Sequence, residues 1–96
     1  MKVLFVVNAE VIDRELLDEY RALTRPILVK HGARVLAASN DADVVEGQPL
    51  GRRVVVVEFP SRAAFEAWHS DPEYAPVLEM RLRATNGAAL VVDERE

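Results

Sequence analysis

The chain has no cysteine. That excludes disulfides, thiolate nucleophiles and thiolate-bound metals. Basic residues are also in deficit: 12 Lys and Arg stand against 16 Asp and Glu, a net charge of −4. A nucleic-acid partner needs a basic face to neutralise phosphates, so that class is set aside. Arg52-Arg53 and Arg81/Arg83 are only local basic clusters. No apolar run approaches the roughly 20 residues that span a bilayer, so no membrane partner is expected. Met1-Lys2 leads straight into a strand-like run without a signal-peptide pattern, and a cytoplasmic location is the expectation. The two histidines, His31 and His69, are far apart, and only His69 and Glu73 have ligand-like spacing, across Pro72. A metal site is not expected. Neither a phosphate-binding glycine loop nor a nucleophile motif is present, and no cofactor is expected.

What the chain has is apolar β-structure. Val3–Val7, Val35–Ala38, Val54–Val57 and Ala88–Val92 are continuous apolar runs rather than alternating ones. Such runs belong to a sheet buried on both faces. Asp13 is suited to cap a helix carrying Leu16, Leu17, Tyr20, Leu23, Ile27 and Leu28 on one stripe, ending at His31-Gly32. Pro26 sits inside that pattern and is expected to kink it. Ser61 caps a second helix with Phe65 and Trp68 on its buried side. Ser70-Asp71-Pro72 breaks it, and the helix resumes from about Pro76 to Ala84, with Asn86-Gly87 as its stop. Val44–Glu46 is read as extended structure after a turn at Asn40–Asp43, and 93–96 as a frayed charged tail.

The order is therefore βαββαβ over residues 1–96, one α+β domain of ferredoxin-like type. The sheet is expected to be mixed but mainly antiparallel, with two helical regions on one face. Strands 1 and 3 are expected to be central, adjacent and parallel. Two helical regions cover one face only. Leaving six to eight Val and Leu side chains wet on the other would forfeit on the order of 10–15 kcal/mol, comparable to a whole domain's stability. A second copy packed sheet to sheet removes that cost, so a homodimer is expected.

The stretch VVVVEFPSRAAFEAWHSDPEY, from Val54 to Tyr74, resembles the DUF1330 family of small proteins. Tyr20-Arg21, His31-Gly32-Ala33-Arg34, Val45-Glu46-Gly47 and Arg81-Leu82-Arg83 agree with it. The resemblance implies the dimeric α+β barrel superfamily, which includes cofactor-free monooxygenases, isomerases and haem enzymes. It does not fix a function.

Two polar groupings are candidates for chemistry. Asn8 and Glu10 close strand 1 and Glu58 closes strand 3; parallel neighbours would bring those ends together. Their simpler reading is that strand ends meet water. Arg81 shares an otherwise apolar helical stripe with Tyr74, Val77 and Leu78. It is read either as a partner of Glu46 or Glu58, or as a cation holding an anionic or enolate-like oxygen. The candidate catalytic groups are thus Arg81, His69 and Glu58. The candidate ligand contacts are Asn8, Tyr20, Glu46, Trp68 and Tyr74. Tyr20 and Trp68 also have core spacing, and His69 is expected to point away from Trp68 into solvent. The readings kept open are a cofactor-free enzyme, oxidising or isomerising a small organic molecule, and a non-catalytic ligand-binding or structural dimer.

Overall fold

The computed structural model describes residues 1–95. Its elements run β1 (Val3–Val11), α1 (Arg14–Lys30), β2 (Arg34–Ser39), β3 (Arg53–Phe59), α2 (Arg62–His69), α3 (Ala75–Ala84) and β4 (Thr85–Asp93). The four strands lie in the order β2-β3-β1-β4. This is the ferredoxin-like α+β arrangement, with three helices.

The parallel pairing expected of strands 1 and 3 is wrong. β1 runs antiparallel to both β3 and β4, and β2 antiparallel to β3. The sheet is wholly antiparallel, not mixed. The reason is topological: the β2–β3 hairpin reverses the chain, so β3 enters between β1 and β2 against both. The C-terminal end of β1 therefore meets the start of β3, with Asn8 opposite Val54, while Glu58 lies opposite Leu4.

Local chemistry sets the helix limits. The Asp13 carboxylate accepts from Leu16 N at 3.1 Å, and Ser61 Oγ accepts from Ala64 N at 3.0 Å. Each cap satisfies an amide that has no partner inside its helix. Gly32 follows α1 with φ +74°, the left-handed conformation that glycine adopts without a Cβ penalty. α1 continues through Pro26 without interruption. Thr24, not Leu23, is buried on its inner face; Leu23 is exposed. Two boundaries differ from the sequence reading. β2 ends at Ser39, and residues 44–46 form no strand. Asn86-Gly87 lies within β4, which follows α3 directly, because both residues pair with β1 at Glu10 and Ala9. Of the charged tail, Asp93 closes β4 and Glu94 N donates to Lys2 O at 2.9 Å; Glu96 lies outside the described residues.

The core lies between the sheet and the helices. Odd-numbered positions Val3, Phe5, Val7 and Ala9 of β1, with Val57 and Phe59 of β3, pack against Leu17, Tyr20, Ile27, Leu28, Trp68, Tyr74 and Val77. Phe5, Phe59, Phe65 and Trp68 form an aromatic cluster with ring centroids 5.3–6.1 Å apart. Even positions line the other face. Register groups Leu4, Val6, Val54, Val56, Leu90 and Val92 there, and Leu90 is 66% exposed.

Candidate functional site

A cavity of about 190 Å³ lies between α1 and the helix side of the sheet. Its floor is Phe5, Val7, Val55 and Val57 from the two central strands. Val35 and Ala38 of β2 both reach it although they are three residues apart. A β-bulge between Val35 and Ala37 makes this possible, since it shifts the two-residue alternation by one. α1 contributes Tyr20, Arg21, Thr24, Arg25 and Leu28, and the second helical region contributes Trp68 and Arg81.

Arg81 is the central polar residue. It lies on the buried side of α3 and is 9% exposed. Its guanidinium carbon sits 5.4 Å from the Phe5 ring centroid, within cation–π range. Its NH1 donates to the Tyr74 hydroxyl across a long 3.4 Å. No salt bridge to a carboxylate is formed by Arg81 among the described residues. The pairing with Glu46 or Glu58 expected as one reading is therefore not made. Arg81 works on the helix side of the sheet, whereas Glu58 occupies an even position and faces the other side.

The Tyr74 hydroxyl lies 2.8 Å from the Tyr20 hydroxyl in a fully buried contact. Arginine can only donate, so Tyr74 Oη accepts from Arg81. Either hydroxyl can donate in the Tyr20–Tyr74 bond, because each oxygen has two lone pairs. Tyr20 also lines the cavity. Burial pushes the Tyr74 phenol well above the usual tyrosine range, so it remains a neutral donor. Two further polar atoms on the cavity residues are buried without partners: Trp68 Nε1 and Thr24 Oγ1.

Thr24 was absent from the sequence reading, and Arg53 entered it only as part of a local basic cluster at a strand start. Arg53 is 7% exposed, lines the cavity, and donates from NH1 to Asn40 Oδ1 at 2.7 Å. Burial lowers its guanidinium pKa, and neighbouring Arg21 lowers it further. The signal was available: Arg53 shares the odd-numbered face of Val55 and Val57.

The other candidates are dispersed. Asn8 is a loop anchor, its Nδ2 donating to Gly51 O at 2.9 Å and Arg53 O at 3.1 Å, and its Oδ1 accepting from Leu50 N at 3.0 Å. Asn8 and the exposed Glu46 border a shallower concavity under the 42–51 loop, away from Arg81. Glu58 lies beyond both, paired with Arg34 at 3.3 Å and Lys2 at 3.7 Å. A hydrogen bond from Glu94, then Lys2 and Arg34, hold its carboxyl below the usual range. The expected meeting of Asn8 and Glu58 at one edge does not occur, because antiparallel strands put them at opposite ends. His69 is exposed and stacks on Phe65 at 5.7 Å, outside the cavity. The structure thus brings together Arg81, Tyr20, Tyr74 and Trp68, and leaves Asn8, Glu46, Glu58 and His69 apart from them.

A second polar cluster supports the site from behind. Asp71, in the turn between α2 and α3, accepts from Lys30 Nζ at 2.9 Å and Glu73 N at 2.9 Å, and lies 2.8 Å from His31 Nε2. It ties the end of α1 to the start of α3, fixing the spacing across which Tyr20 and Tyr74 meet. No group of residues suited to a metal ion occurs among the described residues, and no helix is long and apolar enough to cross a membrane.

Residues 2–95 match the family described as Domain of unknown function (DUF1330). No curated protein matches. Among solved structures, a protein of unknown function from Rhodopseudomonas palustris is 16% identical with a TM-score of 0.79, covering 99% of this chain and 83% of that one. A dimeric ferredoxin-like protein of unknown function from Jannaschia sp. CCS1 is 19% identical with a TM-score of 0.73, covering 100% of both. SnoaB, a cofactor-independent oxygenase from Streptomyces nogalater, is 12% identical with a TM-score of 0.72, covering 99% and 94%. Identities this low carry the fold alone.

Proposed function

Since this chain belongs to the DUF1330 family, whose description names no activity, we propose from its cavity that it binds a small organic molecule between α1 and the sheet and turns it over without a cofactor. The single observation that carries this reading is Arg81: a buried cation on the wall of an apolar cavity, without a carboxylate partner among the described residues. Burying an uncompensated charge costs several kcal/mol. A fold retains such a group most economically where a ligand completes it. In an oxidation or isomerisation, negative charge develops on a substrate oxygen, and Arg81 with the Tyr20 O–H would stabilise it. That a cofactor-independent oxygenase shares the fold agrees with this chemistry but does not transfer it.

The working unit in this reading is a homodimer formed through the open sheet face, where Leu90 and Val92 remain exposed. Dimeric proteins of the same fold support it.

One observation favours a second reading. Among the described residues no carboxylate or imidazole lines the cavity, so none of them is there to act as a general base. A non-catalytic binding protein would need none. Thermal-shift screening of a metabolite library, run in parallel with assays for oxygen uptake and isomerised product, separates the two. Stabilisation with turnover that is lost in Arg81→Gln is the expected result. Stabilisation without turnover establishes the binding reading, and neither effect overturns both.

A further inference from the structure

We infer that the molecule this cavity takes is a compact organic oxyanion: an apolar body of about one ring carrying a single negatively charged oxygen group. The inference rests on the proposal that the cavity is the ligand site and names the chemistry of its occupant.

The donor inventory carries it. Arg81 offers guanidinium N–H groups, of which one reaches Tyr74 over 3.4 Å. Trp68 Nε1–H is buried and unpartnered, and indole can only donate. Tyr20 lines the cavity with a hydroxyl whose one bond, to Tyr74, can be made in either direction, so its O–H can turn to a ligand. Thr24 Oγ1 is buried without a partner. Against these donors the cavity wall supplies no Asp or Glu among the described residues. Four arginines, Arg21, Arg25, Arg53 and Arg81, line it instead. Arg21 and Arg25 are exposed, while Arg53 and Arg81 are buried. A protein of net charge −4 thus presents a locally cationic pocket, which attracts an anion and repels a cation. A neutral carbonyl could accept from these donors but would leave the buried Arg81 charge uncompensated, which an anion does not.

Volume limits the body. An apolar cavity of about 150 Å³ holds benzene. At about 190 Å³ this one has room for one ring and a carboxylate or enolate group. The apolar floor of Phe5, Val7, Val55 and Val57 suits the ring. An enolate that enters already ionised needs no base to generate it, so for that ligand the missing general base is no obstacle to the proposed turnover.

The test uses Trp68, the only tryptophan, as the reporter. Benzoate and the enolate of 1,3-cyclohexanedione at pH 8 are titrated against the neutral counterparts benzamide and cyclohexanone. The expected result is saturable change in Trp68 emission, with at least one anion binding 10-fold or more tightly than its counterpart. Arg81→Met should remove that preference, while Arg34→Gln, outside the cavity, should keep it. Neutral probes binding as well as the anions overturn the inference and leave the cavity standing as a ligand site. No response to any probe overturns the inference and the proposed site together. Should Arg81→Met fail to fold, the anion-to-neutral ratio of the unaltered protein still decides.

Discussion

The Tyr20 and Tyr74 hydroxyls meet at 2.8 Å inside the protein, joining the middle of α1 to the residue that opens α3. This one contact links core to cavity, because Arg81 donates to Tyr74 and Tyr20 borders the open space. Removing either oxygen strands the other group. Tyr74→Phe leaves Arg81 and Tyr20 each short of a partner, and Tyr20→Phe leaves the Tyr74 hydroxyl without its tyrosine partner. Each single change is expected to cost about 1–3 kcal/mol in urea denaturation. The double change should cost less than the two together, since no orphan hydroxyl remains. Additive costs would show that the pair is not coupled.

Tyr74 should also resist ionisation. Burial raises its pKa far above that of a free phenol. Tyr74 should contribute no phenolate absorbance before alkaline unfolding. In Tyr74→Phe the pre-transition absorbance should be unchanged. Two phenolates appearing in folded protein would contradict the buried placement.

Asp71 gives stability a defined acid dependence. His31 first, then Lys30 and the Glu73 amide, hold its carboxyl far below the ordinary aspartate range. A carboxyl depressed on folding contributes fully above its unfolded value near pH 4. It loses that contribution as pH falls further and the folded carboxylate takes up its proton. Asp71→Asn should therefore lower Tm at pH 7, and the gap to the unaltered protein should close progressively below about pH 4. A constant gap from pH 7 to pH 2 would mean that the charge is not what matters.

Sheet-to-sheet association predicts that the protein sediments at twice its 10.7 kDa chain mass. Leu90→Arg introduces a charge on the exposed apolar face, at its β4 edge, and should yield monomer or aggregate. A stable monomer of the unaltered chain at micromolar concentration would remove the dimer from the proposal.

Gly87 lies opposite Ala9 in the β1–β4 pair, where an added Cβ would come within 2.6 Å of the Ala9 Cβ. Backbone neighbours crowd the same point, so the strands must shift. Gly87→Ala is expected to cost about 1–3 kcal/mol. A thermal melt unchanged from the original would show that β4 has slack there.

Much of this molecule was legible without coordinates. Asp13 and Ser61 announced the helix starts, Gly32 a helix end, and the unbroken Val runs a sheet apolar on both sides. Arg81 stood out as a cation on an apolar stripe. Arg53 did not, because a charged residue beginning a strand is ordinarily a solvated end. The grouping of Asn8 with Glu58 failed for one reason: strand polarity was misassigned, and residues at the ends of antiparallel neighbours lie a strand length apart.

Composition and periodicity are local properties, and local physics settled what they could. Caps fix helix starts, alternation assigns each strand residue to a face, and the absence of thiols and of a basic excess narrows the chemistry. Which faces meet depends on chain reversal, register and one bulge in β2, and these are decided only when distant segments compete for the same contacts. Only the tertiary structure could therefore put Tyr20, Trp68 and Arg81 around one space, set Tyr74 behind them, and keep the carboxylates of the described residues out of it.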